Sequence, residues 1–198
     1  MKKLDLYKQL KSEYVTPRVP ALVSTTPARH LTVSGRGDPN GEGFQAAIGS
    51  LYGVAFTIKM ARKFAGRDYA VAKLEALWWG GERGQLLIDS PKRTWRWKIM
   101  IRVPGFVTAT DLRRARAALI ARGRRPGAVR LEQLREGRVV QLLHVGPYDR
   151  EHESIGRMRE FVRARGFRLH GRHHEIYLSD PRRVAPAKLR TILRHPVR

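Results

Sequence analysis

The residues best suited to chemistry lie towards the C-terminal end, in the string HHEIYLSD from His173 to Asp180. Glu175 is a lone carboxylate there among Ile and Tyr. Burying such a group without a partner is costly, so three fates are open to it. It can pair with one of the many arginines, sit exposed, or occupy a ligand groove. In a groove it could attract a cationic or electron-poor molecule. It could also take a proton from water, with a pKa raised by apolar neighbours. Glu75, in KLEALWW, has a similar setting, with Lys73, Arg96 and Lys98 as alternative ion-pair partners. Two carboxylates facing one groove, one protonated and one charged, would make an acid and base pair. Tyr148 and Tyr177 are the candidate hydrogen-bond donors that complete the set. Tyr148 follows Gly146 and Pro147 at what reads as a helix start, where backbone N–H groups are also free.

Aromatic residues could supply the walls. Trp78, Trp79, Trp95 and Trp97 can floor a groove and stack on a planar ligand, although core packing explains any single one as well. Alternation along a strand sends Trp78 and Trp79 to opposite faces, so at most one of the two meets a ligand. Tyr7, Tyr52 and His144 are further candidate contacts. A metal site is not expected. His173 and His174 are adjacent, so on a strand they diverge, and neither a third ligand at suitable spacing nor any cysteine joins them. The loop GRGDPNGEG lacks the GxxxxGK[ST] pattern of a phosphate cradle, and no serine sits on an elbow motif. Neither haem nor any other cofactor is called for.

These residues need elements to hold them, and the hydrophobic pattern supplies an order. A short amphipathic helix can form within the first 19 residues through Leu4, Tyr7 and Leu10, followed by extended chain past Pro17 and Pro20. Residues 29–36 read as a strand and 35–43 as a loop rich in turn formers. Phe44, Ala47, Ile48, Leu51, Ala55 and Ile58 mark a helix over about 44–64, stopped by Gly66. Strands follow over 69–79, ending at Gly80 and Gly81, and over 95–103, where large apolar and basic residues alternate. A connecting helix capped by Thr108 or Thr110 runs to about Ala121. Strands at 129–134 and 138–145 come next, joined by a turn at Glu136 and Gly137. Then the pattern repeats: the turn GPYD, a helix over 150–164 stopped by Gly166, a strand over 173–180 and a last strand near the C-terminus. The fold class expected is α+β, a single 1–198 domain of duplicated βαββ units, about 22–103 and 129–197. Two small sheets related by a pseudo-twofold axis would leave a ligand crevice between them.

Composition bounds the partners. The chain has 198 residues, 42% of them hydrophobic, enough for a globular core rather than a disordered tail. No cysteine means no disulfide and no thiolate chemistry. No window approaches the roughly 20 apolar residues of a membrane span and no signal-peptide core opens the chain, so a cytoplasmic location is expected and membrane partners are not. The formal charge of +23 admits nucleic-acid binding, with the segment from Arg113 to Arg130 as its one concentrated patch, but no recognised nucleic-acid motif accompanies it. A solvated, arginine-rich surface is the plainer reading.

Taken together, LLHVGPYDRE (Leu142 to Glu151), HHEIYLSDPR, GRGDPN, LYGVAF and KLEALWW resemble the GyrI-like small-molecule-binding family, related to the SOUL group, and in particular its stand-alone branch. The resemblance runs over nearly the whole chain. It implies the duplicated βαββ fold and a groove glutamate that maps onto Glu175. Some stand-alone members are similar to hydrolases that open the cyclopropane ring of DNA-alkylating natural products. The function so implied is binding of planar, hydrophobic or electrophilic small molecules, with cofactor-independent ring-opening as the added step. The alternatives are a sequestering protein that leaves its ligand unchanged, or a DNA- or gyrase-associated interaction protein.

Overall fold

The computed structural model describes residues 3–80 and 90–198. In chain order its elements are α1 (Leu6–Gln9), β1 (Ala21–Ser24), β2 (Ala28–Arg36), α2 (Glu42–Phe64), β3 (Leu74–Trp79), β4 (Arg96–Val103), α3 (Ala109–Ala121), β5 (Arg130–Leu134), β6 (Arg138–Val145), α4 (Glu151–Ala164), β7 (His173–Tyr177) and β8 (Arg190–Pro196). The long elements arise where the sequence pattern places them. Helix α2 buries Phe44, Ala47, Leu51, Val54, Ala55 and Ile58 at helical spacing. Helix α3 opens with a reciprocal cap, in which Thr108 accepts from the Asp111 backbone and Asp111 from the Thr108 backbone.

Three differences matter. The N-terminal helix is a single turn capped by Asp5, and the chain read as merely extended contains β1. Strand β3 begins at Leu74, not at residue 69, because Tyr69 is spent on a lone bridge to Leu4 and on the core. Gly81, expected at that strand's end, lies outside the described residues.

The larger difference is in the sheet. Instead of two small sheets there is one, eight-stranded and antiparallel throughout, in the order β1-β6-β8-β7-β3-β4-β2-β5. The halves are fused where residues 75–78 of β3 pair with 173–176 of β7. The sheet must also curl. Strands β5 and β6 stand six places apart, about 29 Å on a flat sheet with strands ~4.8 Å apart. Only residues 135–137 join them, a reach of at most about 15 Å at 3.8 Å per step. The same holds for β1 and β2, joined by residues 25–27. The two edges therefore approach each other, and Thr25 N–H donates to the Gly137 carbonyl at 2.8 Å across the gap.

Curling gives the sheet an outer and an inner face. The outer face carries Leu31, Val33, Trp97, Ile99 and Ile101 under α2, and Val140, Leu142 and Leu193 with Met158 and Val162 of α4. The inner face is unusually polar, with His30, Glu75, Arg102, Gln141, His174 and Arg194 all buried. The segment around Glu13 and Tyr14 crosses it as a strap. Among the described residues, no helix is long and apolar enough to cross a membrane.

Candidate functional site

On β7 the side chains of His173, Glu175 and Tyr177 share the outer face. Glu175 stands opposite Ala76, and His173 opposite Trp78. The start of α4 then delivers Glu151 to the same place. It does so because the strand–helix turn is pinned from below: His144 contacts the Ser154 hydroxyl at 3.0 Å and the Pro147 carbonyl at 3.1 Å. Gly146 takes a φ of 140°, which a side chain would strain.

The resulting site is built around two carboxyl groups. Ligand atoms of Glu151, His173 and Glu175 all lie within 4.8 Å of one another. The Tyr177 hydroxyl donates to Glu175 Oε2 at 2.7 Å and accepts from the Trp78 indole N–H at 3.2 Å. His173 Nε2 is 3.4 Å from Glu175 Oε1, a contact that falls short of a hydrogen bond. Among the described residues, the buried Glu151 Oε1 and His173 Nε2 have no hydrogen-bond partner, as groups that meet a ligand or water would.

Electrostatics drive the two carboxyls apart. Burial pushes Glu151 well above the usual carboxylate range, and the neighbouring Glu175 charge pushes it further. Burial also acts to raise Glu175, but His173, the Tyr177 hydroxyl and the Glu151 carboxyl favour its ionised form and hold it lower. The two carboxyls therefore differ in proton affinity, Glu151 holding a proton more tightly than Glu175. A cation could bridge the same three side chains. Tyr177 also holds one of the Glu175 oxygens. Tyr148 is 38% exposed, its ring edge-on to Tyr177 at 5.9 Å. Burial, and then the neighbouring Glu151 and Glu175 carboxyls, push its hydroxyl up to about 12, so it remains a donor.

Of the residues singled out in the sequence, Glu175, Tyr177 and Tyr148 are brought together. Glu75 is not. It stands opposite Ile176, one position out of step with Glu175, and the pleat sends it to the inner face. The expectation of two glutamates in one groove is thereby corrected: the second carboxylate is Glu151. Trp78 is buried, donates to the Tyr177 hydroxyl and stacks on Phe44 at 5.5 Å. Trp97 is also core, edge-on to Phe44 at 5.0 Å. Trp79 faces away from Trp78, with the Arg172 guanidinium 3.6 Å from its ring centre. Tyr7 packs on Tyr14 beside Ile176 and Ile192, on the inner side of the sheet. Tyr52 is half-buried on α2, stacked on Phe56 and close enough to Asp180 for that charge to raise its pKa after burial has done so. His144 is the pin described above. Glu151 was missed because it sits in a charged run, DREHE. Its signal was the spacing Tyr148-x-x-Glu151, one helical turn past a Gly-Pro turn.

The inner face holds a separate, internally satisfied network. His174 contacts Glu75 Oε2 through Nε2 and both oxygens of Glu136 through Nδ1, each at 3.0 Å. Both ring nitrogens donate, so His174 is an imidazolium. Burial would lower its pKa, but the flanking Glu136 and Glu75 raise it to about 9. Arg194 joins Glu136 to Gln141, and Arg102 pairs with Glu13 at 2.7 Å.

Comparison with known proteins places the chain. Among curated proteins, none matches it. A crystal structure of a hydrolase from Listeria innocua superposes with a TM-score of 0.90 at 36% identity, covering all of both chains. Another hydrolase structure from Listeria innocua gives 0.88 at 35% identity over 99% of this chain and all of that one. The EcmrR C-terminal domain shares the fold alone, with a TM-score of 0.56 at 11% identity over 90% of this chain and 96% of that one. The model of the GyrI-like small molecule binding domain matches residues 20–198. With its outer-face site built and its sequence aligned from end to end, the chain belongs to the GyrI-like small-molecule-binding domain family.

Proposed function

We propose that the protein is a cofactor-independent hydrolase that adds water to a planar, hydrophobic, electrophilic small molecule, of the class bearing an activated cyclopropane ring. The observation that carries this reading is the close Glu151–Glu175 pair, with Glu151 pushed towards its protonated form and Glu175 held lower, beside the aromatic rings of Tyr148 and Tyr177. Its likeness to Listeria innocua proteins described as hydrolases supports it.

The chemistry balances within the pair. Glu175 takes a proton from water as the water oxygen bonds to a ring carbon. The strained carbon–carbon bond breaks, and its electrons pass into the conjugated carbonyl, which becomes a phenolate. Glu151 gives its proton to that oxygen. The proton now on Glu175 passes to Glu151 and restores the starting state, so the sum is substrate plus one water. Tyr177, the other candidate donor, is committed to Glu175, so in this reading it holds the base. Tyr148 is the donor left to steady the phenolate.

The same reading takes the chain as one 1–198 domain of two βαββ units, about 22–103 and 129–197, related by a pseudo-twofold axis. The palindromic strand order supports it, since β5, β2, β4 and β3 mirror β1, β6, β8 and β7. A cytoplasmic location accords with the cysteine-free composition.

The test is incubation of a cyclopropane-bearing DNA alkylator with a catalytic amount of the protein, followed by mass spectrometry. Many turnovers to a product heavier by one water support the reading. Tight binding with the ligand recovered unchanged replaces it with sequestration. Neither binding nor turnover removes this substrate class.

A further inference from the structure

The seam between β3 and β7 has two sides. On the outer side, Glu175 lies over Ala76 and His173 over Trp78. On the inner side, His174 lies over Leu77 and Ile176 over Glu75. Only four residue pairs hold the halves of the sheet together here, and the candidate site sits directly on them. His174 is also the chain neighbour of both His173 and Glu175. Its ring is fully buried and tied in two directions. One bond runs along the seam to Glu75 on β3. The other crosses the interior to Glu136, in the short link that draws β5 towards β6.

The surroundings leave this array a cavity of only about 10 Å³, bordered by Glu13, His30, Glu75, Glu136, His174 and Arg194, roughly the room of one water. Glu136 also accepts from Arg194 of β8 at 3.3 Å, and Glu75 accepts from Tyr14 of the strap at 3.3 Å. His30 of β2 lies 3.5 Å from Glu75, and Arg102 of β4 balances Glu13. Counting Glu13, Glu75 and Glu136 against Arg102, Arg194 and protonated His174 gives three charges of each sign. Among the described residues, no atom of this cluster is a buried polar atom left unpaired. A satisfied, rigid cluster of this kind fixes geometry, because partial loss of it leaves buried charge uncompensated.

We propose that the Glu75–His174–Glu136 strut is a positioning device for the carboxyl pair on the opposite face of the same strands. The strut sets the height and register of β7, and through the rigid peptide units on either side of His174 it sets where Glu175 meets Glu151. His174 is thus a positioning residue, acting through Glu175. This rests on the hydrolase reading for its catalytic consequence but not for its geometric one. Misplacement of reacting groups by about 1 Å can cost on the order of 100-fold in rate, which makes such a support worth six buried charges.

The experiment compares wild type with the charge-neutral double variant Glu75→Gln/His174→Gln. Two readouts are taken on folded protein: turnover of the cyclopropane substrate, and the titration of Glu151 and Glu175 followed by NMR of 13C-carboxyl-labelled glutamate. The expected result is a kcat lower by about 10- to 100-fold with KM within about twofold, together with an altered titration of the outer-face pair. A variant that merely melts earlier, with kcat per folded molecule and carboxyl titration as in wild type, overturns the proposal. If the double variant does not fold, Glu136→Gln is read by the same two criteria, since it keeps the His174–Glu75 bond and the side-chain shape. Should wild type show no turnover, the hydrolase reading fails, while the NMR titration still decides whether the strut positions the pair.

Discussion

Replacing Tyr177 by Phe removes one oxygen and nothing else from the site. That hydroxyl donates to Glu175 at 2.7 Å and accepts from Trp78 at 3.2 Å. A hydrogen bond to a charged group contributes about 1.5–3 kcal/mol, and a 1.4 kcal/mol difference is tenfold in an equilibrium, so ionised Glu175 loses a preference of about 10- to 100-fold over its neutral form. Burial, no longer opposed by this bond, then raises the proton affinity of the base. The expected signature is a pH-dependent loss. In a kcat/KM profile the acid limb moves to higher pH, so the Tyr177→Phe defect at acid pH exceeds that at neutral pH by about 10- to 100-fold. The Trp78 indole N–H is also stranded in the core, at a cost of about 1–3 kcal/mol. In a chain of this size that lowers Tm by about 2–4 °C per kcal/mol. Circular dichroism on the same samples confirms folding. A uniform loss across the whole pH range, with the acid limb unmoved, would refute the claim that Tyr177 serves the ionisation of Glu175.

Glu151→Gln is expected to reduce kcat by about 100- to 10,000-fold, the range for losing a positioned acid, and to abolish any alkaline limb. Its stability should behave oppositely. Because the folded-state pKa of Glu151 is raised, wild type loses stability as pH rises from the unfolded carboxylate value through the raised one, and the Gln variant should show no such slope in denaturant midpoints. A slope that persists in the variant assigns it to another group. Gly35→Ala is expected to destabilise by about 1–3 kcal/mol as an overpacked core does, because a Cβ there would overlap the Trp97 ring, which covers Gly35 on the paired strand. A shift in tryptophan fluorescence together with a lower Tm checks this, and an unchanged Tm contradicts it.

Much of the fold was readable because local rules governed it. The 3.6-residue spacing from Phe44 to Ile58, the Thr108 cap and the alternation from Trp95 to Val103 each specify an element without help from distant residues. What stayed hidden depends on long-range register. Glu75 and Glu175 look equivalent in sequence, yet a pairing of 75 with 176 rather than 175 puts them on opposite faces. The inner network joins residues as far apart as Glu13 and Arg102, or Glu75 and His174, and no spacing announces such pairs. The curl that brings them together follows from two three-residue links, which become informative only once the strand order is known. The site was half legible: Glu175 stood out as a lone carboxylate on an apolar strand, whereas Glu151 lay among ordinary surface charges at the start of α4.

The central claim is that Glu175 drives water onto a bound electrophile. Its most direct test is a single-turnover reaction in 18O-labelled water, wild type against Glu175→Gln, with substrate binding measured in parallel. The expected result is a product carrying one heavy oxygen at carbon from the wild-type protein, and a variant that binds the substrate but converts it at least about 100-fold more slowly. Equal conversion by the variant, or a bound ligand that both proteins return unlabelled, would contradict it.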